Sequence, residues 1–154
     1  MGKNTHFDFV VIGSGPAGQK AAIQAAKGGA SVAIIERTRA MGGECVRRGT
    51  IPSKTLRECA ARLTALRRQA GFFDLAIEPG RELDSLITGV DDIVGNHVGY
   101  MTAQLERNGI DCVHGRAAFV DAHTVEVTRI SGAARRLTAD HIIIATGSRP
   151  RRPP

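Results

Sequence analysis

Tryptophan is absent from this chain of 154 residues, which holds one tyrosine and five phenylalanines. Proteins that bind single-stranded nucleic acids stack bases on aromatic side chains, and no nucleic-acid-binding motif frames the arginine clusters of this sequence. The formal net charge of +6 is therefore weak evidence for a nucleic-acid partner. We expect the arginines to lie on solvated surfaces and in an exposed tail.

Long apolar runs are also missing. The longest runs, FVVI and HIIIA with their neighbours, are much shorter than a membrane-spanning helix requires. The start, MGKNTHFDF, has no apolar signal core. We therefore expect a soluble, cytoplasmic protein with no membrane partner.

Cysteine is scarce, with Cys45, Cys59 and Cys112 as its three occurrences. No CxxC pair or neighbouring set of histidines accompanies them, so the sequence predicts no metal site. An odd number of cysteines at unrelated spacings fits reduced thiols in a reducing compartment.

The sequence begins with a strand, a turn, a helix and a second strand. Residues 7–13 (FDFVVIG) are a short β-branched run that predicts a buried strand, and residues 31–36 (SVAIIE) predict a second one. Between them, the alanine-rich residues 16–27 predict a helix that Gly28 and Gly29 stop. This βαβ unit, with a right-handed crossover, indicates a Rossmann-like α/β fold.

The rest of the chain continues this pattern. A glycine- and arginine-rich loop follows Glu36, and Pro52 opens a helix with Leu56 and Leu66 on its apolar face. The later elements are predicted as a break over 71–80, a long amphipathic helix over 81–108, a strand over 110–115, an antiparallel meander of strands at 116–121, 123–130 and 135–139, and a last strand over 141–147.

Residues 13–18 (GSGPAG) match the GxGxxG pattern of a phosphate-binding turn. In this pattern Gly13 allows a tight turn, Gly15 lets a pyrophosphate approach the backbone, and Gly18 lets the helix pack closely against the sheet. Glu36 ends the second strand, where a carboxylate can accept both ribose hydroxyls of an adenosine and repels a 2′-phosphate. The pattern predicts a dinucleotide site. The alternative is a glycine turn in a ligand-free domain, with Glu36 merely ending a strand.

Five motifs occur in a specific order: GSGPAG, the pair Glu36-Arg37, GGECVRRGTIPSK over residues 42–54, GRAAF over 115–119 and ATGSRP over 145–150. This order resembles the amino-terminal part of the pyridine nucleotide–disulfide oxidoreductases, which include lipoamide dehydrogenase, glutathione reductase and mercuric reductase. The resemblance covers essentially the whole chain. It implies an FAD-binding domain with a parallel sheet, helices and a small antiparallel β-meander, of which residues 1–154 would be the N-terminal part.

The resemblance implies three groups of cofactor-binding residues. The FAD pyrophosphate would be held by Gly13, Gly15, Pro16, Ala17 and Gly18. The adenosine would contact Glu36 at its ribose and Ala117 near the adenine, with Arg37 among the binding residues. The flavin and the length of the cofactor would contact Gly43, Cys45, Lys54, Ala145, Thr146 and Gly147.

Thr50 is where the sequence departs from the disulfide-using members of this family. By resemblance, those members carry a second cysteine five positions after the first. A disulfide requires two sulfurs at bonding distance, and threonine at this position supplies only a hydroxyl. A retained first cysteine followed by threonine resembles the soluble, FAD-dependent pyridine nucleotide transhydrogenases. This resemblance implies ping-pong hydride exchange from NADPH to NAD⁺ through FAD, with Lys54 favouring the negatively charged reduced flavin.

Cys45, Thr50 and Lys54 are therefore the candidate catalytic residues. Thr50 could donate a hydrogen bond to a flavin atom or a backbone carbonyl. The alternatives are that Cys45 is an inert thiol inherited from a disulfide-using ancestor and that Lys54 is an ordinary helix-surface lysine.

The resemblance implies that family members continue into nicotinamide and dimerisation domains, which we expect to be absent from residues 1–154. We therefore expect an N-terminal FAD segment that is inactive alone and belongs to a homodimer when full length, with NAD(P)H and NAD(P)⁺ as partners. Three alternatives stay open: an FAD segment of a lipoamide dehydrogenase-like or mercuric reductase-like oxidoreductase, a non-catalytic truncated FAD-binding module, and a basic nucleic-acid binder.

Overall fold

The computed structural model describes residues 5–73, 82–129 and 132–148. The chain divides into two compact units. Unit 1 contains Met1–Gly43 and Tyr100–Pro154, and unit 2 contains Glu44–Gly99. Unit 1 holds the whole sheet and the glycine-rich turn, so it carries most of the predicted cofactor-binding residues.

Unit 1 is built on one six-stranded sheet with the strand order β3-β2-β1-β6-β5-β4. Its elements are β1 (His6–Ile12), α1 (Pro16–Lys27), β2 (Val32–Glu36), β3 (Asp111–His114), β4 (Arg116–Phe119), β5 (Thr124–Thr128) and β6 (Ala134–Ile144). The pairs of β1 with β2, β1 with β6 and β2 with β3 are parallel. The pairs of β4 with β5 and β5 with β6 are antiparallel. The predicted α/β class, with a parallel sheet and an antiparallel meander, is confirmed.

Strand β2 lies between β1 and β3, and all five of its residues are buried. A strand covered on both faces needs apolar side chains at every position, which explains the unbroken run Val32–Ile35. Its residues alternate between two core clusters: Ala33 and Ile35 face one, Val32 and Ile34 the other. Apolar layers therefore cover both faces of the sheet at β2.

The antiparallel meander supplies one of these layers. Strands β3 and β4 stand at opposite ends of the strand order, yet Gly115 alone separates them in the chain. The sheet must therefore curl back on itself. A Cβ at Gly115 would lie 2.7 Å from both the Thr128 carbonyl oxygen and the Val127 Cγ1, so this crossing requires glycine. Val125, Val127 and Leu137 then pack in the same core cluster as residues of β1 and β2.

The second layer consists of helical residues. Ala22 and Ile23 of α1 pack with Leu105, which lies near the carboxyl end of the long helix α4 (Glu82–Arg107). Helix α1 has the predicted bounds, and it ends as predicted at two glycines, the second with φ of +88°. A left-handed residue after the last turn is a common helix terminator that glycine adopts without strain.

The carboxyl-terminal strand was wrongly predicted as two strands. Separate strands over 135–139 and 141–147 were predicted, but β6 is one continuous strand over Ala134–Ile144. Its first half pairs with β5, and the part from Thr138 onwards pairs in parallel with β1. Since one strand serves both the meander and the parallel sheet, no turn is needed between them.

Unit 2 is helical and contains α3 (Thr50–Phe73) and most of α2 (Gly43–Arg47) and α4. The predicted loop before Pro52 was wrong in part, because it contains the short helix α2 and because α3 starts at Thr50. The predicted break over 71–80 also starts too early, since α3 continues to Phe73; residues 74–81 lie outside the described part. Leu56 and Leu66, on the predicted apolar face of α3, are 42% and 54% exposed.

Among the described residues, none of the helices has the length and apolar character that a membrane crossing requires.

Candidate functional site

The site is built around the turn that connects β1 to α1. Gly13 has φ of +106°, and a Cβ there would lie 2.3 Å from the Ala145 carbonyl oxygen. A Cβ at Gly18 would lie 1.9 Å from the Gly13 carbonyl oxygen. Both positions therefore exclude any larger residue, as the pattern GxGxxG predicts, and α1 begins close to the end of β1.

Gly15 has a different environment from its two neighbours in the motif. A Cβ there would meet no atom within 4 Å. Gly15 is also the N-cap of α1, and no side chain caps this end, which Pro16 opens. The Cβ side of Gly15 is therefore open, and the start of a helix, with its unpaired N–H groups and the positive end of the helix dipole, is a favourable setting for an anion such as a pyrophosphate.

The loop after β2 folds over this turn. The Gly42 N–H donates to the Ser14 carbonyl oxygen at 3.2 Å and to the Ser14 Oγ at 3.1 Å. Gly43 has φ of +64°, and a Cβ there would lie 2.8 Å from the Gly15 Cα. Gly43, predicted as a cofactor-binding residue, therefore lies against the glycine turn.

Glu36, at the end of β2, is joined to the turn by its side chain. Its Oε2 accepts the Ser14 N–H at 3.1 Å and the Ser14 hydroxyl at 2.6 Å. Its Oε1 accepts the Thr38 N–H at 2.9 Å and the Thr38 hydroxyl at 3.0 Å. Glu36 is only 6% exposed as a residue, and Ser14 is fully buried.

These contacts decide the charge of Glu36. Burial acts to raise the pKa of the carboxyl group, but the hydrogen bonds from Ser14 and Thr38 outweigh it, so the pKa lies below its ordinary value. Glu36 is therefore a carboxylate at neutral pH. A buried negative charge beside the turn suits a ribose with free hydroxyls and repels a phosphate on that ribose.

The residues after β6 lie beside the same turn. The Ala145 N–H donates to the Ile12 carbonyl oxygen at 2.8 Å, which extends the strand pairing past the end of β6. A Cβ at Gly13 would lie 3.3 Å from the Thr146 Cα. Gly147 follows with φ of +74°. The structure thus brings the predicted residues Ala145 and Thr146 next to Gly13.

The other predicted adenosine residues are Ala117, in β4, and Arg37, directly after Glu36. The Gly115 N–H donates to the Glu36 carbonyl oxygen at 2.8 Å, which ties the start of β4 to the end of β2. Ala117 is half-buried in β4, where it pairs with Val127 and packs against the core cluster under the meander. Arg37 is exposed directly after Glu36.

The three candidate catalytic residues belong to unit 2. Cys45 is half-buried in α2, Thr50 is the exposed first residue of α3, and Lys54 is exposed one turn later. The Ser53 hydroxyl donates to the Thr50 carbonyl oxygen at 3.3 Å. All three cysteines of the chain are free thiols, and the described residues contain no group of side chains that could hold a metal ion.

The sequence did not indicate Ser14, Thr38 and Gly42 as site residues. Ser14 occupies a variable position of the motif, and its role depends on the distant Glu36. One signal was available: a hydroxyl between two motif glycines is buried by the turn, and buried hydroxyls need hydrogen-bond partners. A threonine two residues after the strand-ending carboxylate is a weaker signal of the same kind.

The fold and the turn define a Rossmann-like dinucleotide-binding domain. Residues 7–154 match the family described as pyridine nucleotide-disulphide oxidoreductase, and the chain belongs to this family. The family predicted from the motifs is thereby confirmed.

Within this family, the chain is similar to soluble pyridine nucleotide transhydrogenases. The chain is 46% identical over 152 residues to the soluble pyridine nucleotide transhydrogenase of Mycobacterium bovis BCG and 39% identical over 148 residues to that of Pseudomonas paraeruginosa PA7. Each match covers 96% of this chain and 32% of the relative. The chain thus spans about a third of the length of these relatives. The predicted resemblance to this group is confirmed as a similarity.

A solved structure shows the same fold. The chain is similar to the Cu(II) complex of a cysteine-to-serine mutant of the HOCl-induced flavoprotein disulfide reductase RclA from Escherichia coli, with a TM-score of 0.76 and 27% sequence identity. The match covers 97% of this chain and 30% of that one. The Rossmann-like architecture of flavoproteins is therefore confirmed for this chain.

Proposed function

We propose that this chain is the FAD-binding segment of a flavoprotein that transfers hydride between NADPH and NAD⁺, an NAD(P) transhydrogenase. The family and the flavoprotein neighbour imply FAD as the cofactor. FAD, when bound, accepts a hydride from one nicotinamide nucleotide and returns it to another. Since the chain spans about a third of its curated relatives, this activity is proposed for the full-length gene product.

The residues of unit 1 fit FAD. Open space beside Gly15 and an uncapped helix start provide room and charge for a pyrophosphate. The ionised Glu36 carboxylate lies beside this turn and is suited to the adenosine ribose. We propose that Gly43, Ala145, Thr146 and Gly147 border the cofactor. The remaining binding residues are proposed on the resemblance alone: Pro16, Ala17, Gly18, Arg37 and Ala117.

The observation that carries the transhydrogenase activity is Thr50. Thr50 supplies no sulfur for Cys45, and the three thiols of this chain are free, which supports a route for electrons that does not pass through a disulfide. The simplest acceptor would then be a second nicotinamide nucleotide. We propose that Lys54 supplies a positive charge that favours reduced flavin, while Cys45 and Thr50 contribute no redox chemistry of their own. The similarity to transhydrogenases supports the same activity.

The second candidate is a disulfide-reductase-type enzyme of the same family, such as a lipoamide dehydrogenase-like or mercuric reductase-like oxidoreductase. The observation in its favour is the structural similarity to a flavoprotein disulfide reductase. It requires a sulfur partner for Cys45 from outside the motif. The full-length protein is proposed to be a cytoplasmic homodimer under either candidate.

Two measurements test the proposal. The purified chain should bind FAD, seen as a flavin spectrum that stays with the protein through gel filtration. The full-length product should reduce thio-NAD⁺ with NADPH when no thiol or disulfide substrate is present. A chain that retains no flavin would contradict the FAD site. Efficient reduction of a disulfide or of mercuric ion, without hydride transfer to thio-NAD⁺, would favour the second candidate.

A further inference from the structure

Four protein donors lie within hydrogen-bonding distance of the Glu36 carboxylate. A carboxylate offers about four lone-pair positions. Two donors at Oε2, both from Ser14, and two donors at Oε1, both from Thr38, occupy them when the Thr38 hydroxyl is turned towards Glu36. A ribose hydroxyl can therefore bind Glu36 only if one of these donors withdraws.

The four donors differ in their ability to withdraw. The two backbone N–H groups are fixed by the fold: the Ser14 carbonyl accepts Gln19 Nε2 at 2.8 Å and the Gly42 N–H at 3.2 Å. The Thr38 carbonyl lies 2.9 Å from His114 Nδ1, which must be the donor because a carbonyl only accepts. The hydroxyls, by contrast, rotate about a single bond.

The two hydroxyls also differ from each other. The Thr38 Oγ1 has one proton and two acceptors at nearly equal distance, Glu36 Oε1 at 3.0 Å and the Ala40 carbonyl oxygen at 2.9 Å. The Ser14 Oγ donates to Glu36 Oε2 at the shorter distance of 2.6 Å and accepts the Gly42 N–H at 3.1 Å. Thr38 can thus turn to Ala40 without losing a hydrogen bond. Among the described residues, the Ser14 hydroxyl has no comparable second acceptor.

We propose that Ser14 and Thr38 are positioning residues with opposite effects on ribose binding. Ser14 anchors Glu36 Oε2, and Thr38 covers Oε1 until a ribose hydroxyl replaces its hydroxyl, which turns to the Ala40 carbonyl. Oε1 is then the ribose-binding oxygen. This inference rests on the proposed binding of FAD, and it adds which oxygen and which neighbouring residues control the adenosine half of the site.

A cycle of variants and ligands tests the inference on the 154-residue chain. Isothermal titration calorimetry measures the Kd of ADP, which carries both ribose hydroxyls, and of 2′,3′-dideoxy-ADP, which carries neither. Wild-type protein should bind ADP about tenfold more tightly, because a hydrogen bond to a charged group is lost with the hydroxyls. Ser14→Ala should weaken ADP binding by about tenfold, and Thr38→Val should strengthen it by about twofold to fivefold. Neither variant should change the Kd of dideoxy-ADP by more than about twofold.

Thr38→Ser is the matched control, because it keeps the hydroxyl and should behave as wild type. A change of equal size for both ligands would mean that the residues act only on the fold, and it would overturn the inference. Selective weakening of ADP by Thr38→Val would overturn it as well. If Ser14→Ala does not fold, the Thr38 variants still decide the result. Wild-type protein that binds neither FAD nor ADP, or that does not distinguish the two ADP ligands, would contradict the proposed function itself.

Discussion

Gly15 and Gly18 belong to the same turn, and replacing each of them by alanine should separate cofactor binding from folding. A Cβ at residue 18 would lie 1.9 Å from the Gly13 carbonyl oxygen, whereas a Cβ at residue 15 would meet no atom within 4 Å. The methyl group of an alanine would thus clash with backbone at residue 18. At residue 15 it would occupy open space beside the turn.

Gly18→Ala should destabilise the fold. The contact must lengthen from 1.9 Å to the 3.4 Å of an ordinary contact, so α1 must move away from β1 by the difference of 1.5 Å. Overpacking of this kind costs about 1–3 kcal/mol or more, and the better helix propensity of alanine offsets about 1 kcal/mol. Because the obstacle is a backbone carbonyl, we expect a net loss of about 2 kcal/mol, which lowers Tm by about 4–8 °C.

Gly15→Ala should leave the fold nearly unchanged. Gly15 has φ of −66° and ψ of 177°, which alanine adopts freely. Alanine is a poorer N-cap than glycine, which lowers the free energy of unfolding by less than about 1 kcal/mol. The added methyl should displace a pyrophosphate from the helix start. Since charged hydrogen bonds contribute about 1.5–3 kcal/mol each, the affinity for ADP and FAD should fall at least about tenfold.

Thermal melts followed by circular dichroism and calorimetric titration with ADP and FAD measure both effects. The expected result is a crossed pattern: Gly18→Ala shifts Tm, and Gly15→Ala shifts Kd at almost constant Tm. If Gly15→Ala binds ADP as wild type does, the open space beside the helix start is not the phosphate site. If Gly18→Ala melts with the wild type, the close approach of α1 and β1 contributes little to stability.

Three further predictions concern the titratable and redox groups. Folding lowers the pKa of Glu36, so the stability that its carboxylate contributes should be lost as the pH falls below about 4. The acid denaturation curve of Glu36→Gln should lack this loss. The exposed control Glu58→Gln should denature in acid as wild type does. Treated with an oxidant such as diamide, Thr50→Cys should form a disulfide with Cys45, so that thiol titration of the denatured protein finds two of its four thiols; four thiols after oxidation would contradict this pairing. Burial, followed by the charges of nearby carboxylates, raises the pKa of Cys112 to about 11, so iodoacetamide at about pH 8 should leave it unlabelled in peptide mass spectra, and rapid labelling there would refute its burial.

The parts of the fold that were predictable from the sequence have local causes. Helix α1 follows from an alanine-rich run between a glycine turn and two stopping glycines, and its predicted bounds agree with the structure. The continuity of β6 has a non-local cause, because β1 and β5 pair with different parts of one strand. Helix α2 has five residues, too few for a period of about 3.6 to be visible. Both features therefore escaped a prediction based on periodicity.

Glu36 shows what the sequence could not predict about the site. The sequence indicated a carboxylate that accepts ribose hydroxyls, but the structure shows that the same carboxylate also ties the glycine turn to the loop after β2. Removal of Glu36 should therefore weaken the fold and the binding of adenosine together, because the two buried donors of Ser14 and the half-buried N–H of Thr38 lose their acceptor. Loss of binding in a Glu36 variant is then no evidence for a ribose contact by itself. Substitution of the donors, with ligands that do and do not carry ribose hydroxyls, separates the two roles, because only a ribose contact depends on the hydroxyls of the ligand.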